Sequence, residues 1–267
     1  MLTEEGLADY TRANLLQTLG DALRAMHGRE DWAWILRGAG RIHAQAIPAR
    51  DKAARLQPVE ALVALGEDMM RAAEHDRYRT DVERATLYRD GLLVAFLIRR
   101  PLRMKNVAAI WLGERLSQRG ADWWLSFEQE DMKAGRQFEC SWPPELTYAL
   151  ECYLSAHRLN LLGPDATSSA SEALWVSRNG TAMNSLALSF RIKHRTQEAF
   201  GTAINPHLFR DIAATTIATA DPMNVADAAR VLGHARLATT EKHYIHARME
   251  VASHAYQAAV TAARGEP

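Results

Sequence analysis

A chain of 267 residues, 48% of them hydrophobic, is long enough for one large domain or a full domain with a smaller companion. Its 32 lysines and arginines are balanced by 32 aspartates and glutamates, so the formal net charge is zero, which counts against a protein that coats nucleic acid by bulk charge. Two cysteines, Cys140 and Cys152, are too few for a disulfide framework and carry no metal-ligand spacing.

In chain order, the opening MLTEEGLADYTRAN has neither the basic start nor the apolar stretch of a signal peptide. No apolar run approaches the roughly 20 residues of a bilayer span, so a soluble, cytoplasmic, reducing setting is expected. Residues 8 to 26 carry Leu15, Leu16, Leu19, Leu23 and Met26 at spacings of three and four, predicting an amphipathic helix. A second apolar set from Trp32 to Ala46 predicts another, broken by a linker at Ile47–Lys52. Helices resume near Pro58, with Leu62, Leu65, Met69 and Ala73 on one face, and again from about Thr80 through Ile98, ending before Pro101.

Between Asn106 and Pro144 the texture changes. Short strands are predicted at Ala108–Leu112, Trp123–Phe127 and Gln137–Trp142, the last two joined by a turn over Met132–Arg136 in which Gly135 supplies a permissive backbone. Helices return at Glu145–Leu159 and Ser185–Phe200, with Ser168–Ser171 read as a surface loop. Pro206 opens a helix running to about Ala220. Asp221 and Pro222 cap and start the next, and Gly233 ends it with His234 just outside. Thr239 or Thr240 caps a short helix carrying Tyr244, and Val251–Ala262 is an alanine-rich terminal helix. The whole reads as mainly α with a small antiparallel β-sheet, an α+β fold.

Charge and aromatic residues are unevenly placed. Arg99, Arg100, Arg103 and Lys105 form one basic cluster; Arg178, Arg191, Lys193, Arg195 and Arg210 face only Glu198 in their span. The pairs Trp32/Trp34 and Trp123/Trp124 read as core or strand residues rather than base-stacking platforms.

The chemistry concentrates between His207 and Tyr244. His207 and Arg210 lie one helical turn apart, Leu232-Gly233-His234 follows, and Tyr244 comes ten residues beyond that histidine. Two imidazoles, a guanidinium and a phenol suit a phosphodiester: the guanidinium forks onto two phosphate oxygens and the phenol is a nucleophile once cations lower its pKa from about 10. Arg103 is the candidate for a second fork, and Lys133, at the tip of the predicted turn, for a donor to a leaving oxygen. Singly, each has an ordinary reading: a carboxylate-binding pair at His207 and Arg210, a C-cap at His234, a packed surface tyrosine, a loop lysine, a salt-bridging Arg103. His243 and His246 flank Tyr244 without a carboxylate or cysteine at zinc spacing, so no metal site is expected.

Taken together, Arg103, Lys133, His207-x-x-Arg210, Leu232-Gly233-His234 and Tyr244 resemble the tyrosine recombinases, the phage-integrase-like family, in order and approximate spacing over roughly residues 55 to 250. The resemblance implies a role for each. Arg103 and Arg210 would clamp the scissile phosphate, and Lys133 would protonate the departing 5′ oxygen. His207 would assist proton transfer, His234 would donate to a nonbridging oxygen, and Tyr244 would form a covalent 3′-phosphotyrosyl link. It implies no cofactor, ATP or obligatory metal. The implied partner is double-stranded DNA, with self-association as a tetramer on paired recombination sites. Residues 1–50 become a short helical segment, a reduced or truncated core-DNA-binding domain, and residues 55–267 the catalytic recombinase domain. The chain departs from the pattern at Arg100-Pro101-Leu102-Arg103, where Thr-Gly-Leu-Arg is common, at Asn106 in an acidic position, and at Asp211 where histidine is frequent. Two other readings stand beside it: a truncated, non-catalytic DNA-binding relative, and strand passage by a type IB topoisomerase.

Overall fold

The computed structural model describes residues 6–46, 55–77, 79–132, 135, 137–163 and 168–220. The chain divides into two units, Met1–Arg55 and Leu56–Pro267. In the first, α1 (Asp9–Met26) and α2 (Ala33–Gln45) pair as an antiparallel hairpin. Gly20 admits Leu36 where a Cβ would lie 2.6 Å from its Cδ2. Ala13 and Ala39 are buried, and Tyr10 meets His43 edge-on at 5.0 Å. Trp34, at 62% exposure, is a surface residue rather than the core or strand residue that its apolar neighbours predict.

The second unit is built around α4 (Asp81–Arg99), paired with α3 (Val59–His75). Thr80 starts α4 through a capping box: its Oγ1 accepts the Glu83 amide at 3.3 Å, and Glu83 Oε2 accepts the Thr80 amide at 2.9 Å. From Leu87 to Ile98 every residue is buried, so this helix is the centre of the core rather than an amphipathic surface helix. Phe96 stacks on Trp142 at 4.4 Å, and Trp175 and Tyr153 complete the aromatic layer. No described helix is long and apolar enough to cross a membrane.

After α5 (Met104–Ala108), three antiparallel strands run in the order β1 (Leu116–Arg119), β2 (Asp122–Phe127), β3 (Phe138–Ser141). Leu116 pairs with Leu125 and Leu125 with Cys140. Trp123 and Trp124 lie on β2, as the sequence predicts. The strand expected at Ala108–Leu112 does not form. Arg103 caps a helical turn there, Val107 and Ile110 are buried by it, and only Trp111 and Leu112 make isolated bridges. A five-residue apolar run fits a buried helical turn as well as a strand, and here the cap decides. The first strand is instead Leu116–Arg119, turned into β2 at Gly120 (φ +64°).

The next helix comprises α6 (Thr147–Cys152), a π-helical turn at Tyr153–His157 and α7 (Arg158–Leu162). Ser168–Ser171, expected as a surface loop, belongs to the short helix α8 (Ser168–Glu172). Ala170 is buried, and the buried Arg158 guanidinium gathers the carbonyls of Ala170, Ser171 and Ala173 at 2.7–3.0 Å. A cation on C-terminal carbonyls stabilises so short a helix. α9 (Ser185–Phe200) is capped by Asn184, whose Oδ1 accepts the Ala187 amide at 2.9 Å, and ends at Gly201 in the left-handed region. The last described helix is α10 (Pro206–Ala220), with the bounds its proline predicts.

Candidate active site

Two chain segments bring the site together. The first is the connection after α4. Pro101 disfavours helical geometry at Arg100, whose backbone turns out at φ −132°, ψ 83°. Arg103 is extended at φ −66°, ψ 140° and serves as the N-cap of α5, its carbonyl accepting the Asn106 and Val107 amides at 2.8 and 3.0 Å. Its side chain is half-buried.

The second is the start of α10. Thr196 Oγ1 accepts the Ile204 amide at 2.9 Å, fixing the turn out of α9. Asn205 Oδ1 then accepts the His207 amide at 3.1 Å, and Pro206 supplies a first helical position that needs no N–H. Leu208, Phe209 and Ile212 face the core. That phase leaves His207 exposed and carries Arg210, one turn later, to 8% exposure. Arg210 Nη1 donates to the Pro101 carbonyl, 109 positions earlier in sequence.

This contact sets Arg210 beside Arg103. Burial, and after it the Arg103 charge, pull the Arg210 guanidinium down from 12.5 to about 10, with the Asp211 carboxylate opposing them. It remains charged at neutral pH. Two adjacent guanidinia, one of them buried, make a site that favours an anion with several oxygens, because each planar fork offers paired donors to it. Lys133, His234 and Tyr244 lie outside the described residues. Among the described residues no group of three or more His, Cys, Asp or Glu side chains is arranged to hold a metal.

Sequence reasoning missed the partner of the basic run on α9. Asp90, 1% exposed, receives Arg89 Nε and Nη2 on one oxygen at 3.1 and 2.6 Å. Its other oxygen takes Arg191 Nε and Nη2 at 2.9 and 2.6 Å and Arg195 Nε at 2.9 Å. Arg89 Nη1 also donates to the Val176 carbonyl at 2.7 Å. Burial acts to raise the Asp90 carboxyl, but Arg89, Arg191 and Arg195 together hold it below its ordinary value. Two of these arginines are thus committed to fastening α9 to α4.

The arrangement, a helical core with a three-stranded sheet and two arginines converging from separate segments, defines a class of protein. The chain belongs to the phage integrase family, whose sequence profile matches residues 67–251. This is the family of tyrosine recombinases, enzymes that break and rejoin DNA strands. No curated protein sequence matches the chain. Among solved structures it is similar to the XerH site-specific recombinase bound to difH substrate in a pre-cleavage complex, at a TM-score of 0.50 and 17% identity over 73% of this chain and 50% of that one. The XerH post-cleavage complex on palindromic difH gives 0.51 and 15% identity over 69% and 46%. XerA recombinase gives 0.49 and 15% over 86% and 76%. The XerH likeness is one of fold, and the chain spans about half the length of XerH (50%).

Proposed function

We propose that the protein is a site-specific DNA recombinase or integrase that cleaves and rejoins strands through Tyr244. The observation that carries this reading is the convergence of Arg103 and the buried Arg210 on one place. In the proposed reaction the two guanidinia hold the scissile phosphate and neutralise the charge that builds on it. The Tyr244 oxygen attacks phosphorus, its proton passing to His207, while His234 donates to a nonbridging oxygen. The bond from phosphorus to the 5′ oxygen breaks, and Lys133 supplies the proton that this oxygen takes up. The 5′-hydroxyl of a partner strand then attacks the 3′-phosphotyrosyl link and releases the tyrosine. The energy of the ester is kept throughout, so the cycle needs no nucleotide hydrolysis. Tetramers on paired DNA sites would bring the partner strands together.

The test uses a duplex selected from a random-sequence pool by binding to the full chain, rebuilt with a nick close to the scissile position so that cleavage is trapped. Wild type is expected to form a covalent protein–DNA adduct and Tyr244→Phe none. A wild type that forms no adduct, or that Tyr244→Phe matches, sinks the catalytic reading. Retention of binding without cleavage would then identify a DNA-binding relative that has lost the chemistry. Relaxation of supercoils with no sequence preference would identify a topoisomerase.

A further inference from the structure

The segment carrying Arg103 is fastened on both sides to one part of the sheet. Three residues before Arg103, the half-buried Arg100 donates from Nε to the Ser141 carbonyl at 3.2 Å and from Nη2 to Ser141 Oγ at 3.5 Å. Three residues after it, Asn106, only 4% exposed, donates from Nδ2 to Met132 Sδ at 3.0 Å. Ser141 ends β3, and Met132, itself buried, lies in the connection between β2 and β3. Both fastenings therefore reach the same β2–β3 unit. The Asn106 amide also bonds the Arg103 carbonyl at 2.8 Å, so a shift of Asn106 carries the Arg103 backbone with it.

We infer that Arg100 and Asn106 are positioning residues that set the Arg103 guanidinium against the phosphate, through paired anchors on Ser141 and Met132. The inference rests on the reading of Arg103 as a phosphate clamp. A thioether is a weak acceptor, so the Asn106 contact matters for where it places α5 rather than for its strength. Displacing a clamping group by about 1 Å is enough to slow a reaction on the order of 100-fold.

The deciding variants are Asn106→Leu, which keeps volume and charge but loses the donor, and Arg100→Lys, which keeps charge but loses the fork onto Ser141. Single-turnover strand cleavage by the full chain is measured on the selected nicked duplex, with either a phosphate or a methylphosphonate at the scissile position. The methylphosphonate lacks the negative charge that Arg103 neutralises. Each variant is expected to cleave the phosphate duplex about 30-fold more slowly, with DNA binding and methylphosphonate cleavage changed less than about threefold. Loss of packing alone slows both substrates equally, and that outcome overturns the inference. Met132→Leu, a volume-conserving change, is expected to reproduce the charge-specific loss and covers the case in which Asn106→Leu does not fold. Arg103→Ala separates the two claims. If it loses equally on both duplexes, the reading of Arg103 as a clamp fails. If its loss is charge-specific while Asn106→Leu and Arg100→Lys behave as wild type, only the positioning role fails.

Discussion

Two clusters of arginine on this molecule are built around different partners. Around Asp90, three guanidinia share one buried carboxylate whose two oxygens are both fully engaged. At the other cluster, burial first and the Arg103 charge second pull the Arg210 guanidinium down to about 10, against the Asp211 carboxylate. The first arrangement gains its stability within the fold, because one buried carboxylate accepts from all three guanidinia and Arg195 also reaches Glu198. At the second, Arg210 donates to a backbone carbonyl, that of Pro101, and lies in the fields of both the Arg103 guanidinium and the Asp211 carboxylate. The difference teaches how to tell a structural arginine from a candidate catalytic one: burial is common to both, and the partner distinguishes them.

Substitutions can break that comparison. Arg210→Met keeps the aliphatic stem and removes the charge. It is expected to lower single-turnover cleavage of the selected duplex by about a thousandfold or more, in the range that removal of a transition-state arginine gives, with little change in a urea melt. Asp90→Asn is expected to behave in reverse. Three guanidinia left around a neutral amide are expected to destabilise the fold by about 3–5 kcal/mol, as breaking a buried pair does, again read from a urea melt. If Arg210→Met costs as much stability as Asp90→Asn, the distinction between the two clusters collapses.

Acid sharpens the contrast. Asp90 holds its proton less tightly folded than unfolded, so the unfolded chain takes up the proton first as pH falls. Its stabilisation is fully present above the ordinary carboxyl value of 3.8 and is lost as pH falls through that value toward the lower folded one. Melts of wild type between pH 5 and 2, a range of roughly three units around the carboxylate pKa, are expected to steepen relative to Asp90→Asn. Parallel curves would remove Asp90 from the account. The smallest effect is expected from inorganic phosphate, which binds the folded state alone and raises Tm by about 1–2 °C at concentrations near its Kd. Arg210→Met is expected to abolish that rise, and a rise that survives the substitution places the anion elsewhere.

Much of the helical frame is legible in the sequence because its punctuation is chemical. Thr80 and Pro101 bracket α4, and Pro206 announces α10; the helices run Asp81–Arg99 and Pro206–Ala220. The strand Leu116–Arg119 is not legible, since Leu-Ser-Gln-Arg has too little alternation to mark a face. The short helix α8 escapes for another reason: it depends on Arg158, a residue outside its own segment. Asp90 is missed because its partners stand 101 and 105 positions away, and nothing local marks a carboxylate as shared. The pairing of Arg103 with Arg210 is visible beforehand only through family resemblance. Composition and periodicity place each on its own element, and only the fold brings the Pro101 carbonyl to Arg210.

α3 and α4 meet at Gly66 and Gly91, where a Cβ on Gly91 would lie 2.7 Å from the Gly66 carbonyl oxygen and one on Gly66 would lie 2.9 Å from the Ala95 amide nitrogen. The backbone atoms met there have no rotamer to adjust, and a Cβ on Gly91 would press on Met70 Cγ at 2.9 Å as well. The crossing therefore acts as a fixed pivot. Eight residues beyond Gly91, about 12 Å along the axis at 1.5 Å per residue, α4 ends and hands the chain to Arg100. One added methyl group at that pivot would tilt the far end of the helix, and Arg103 would move although nothing near it had been altered.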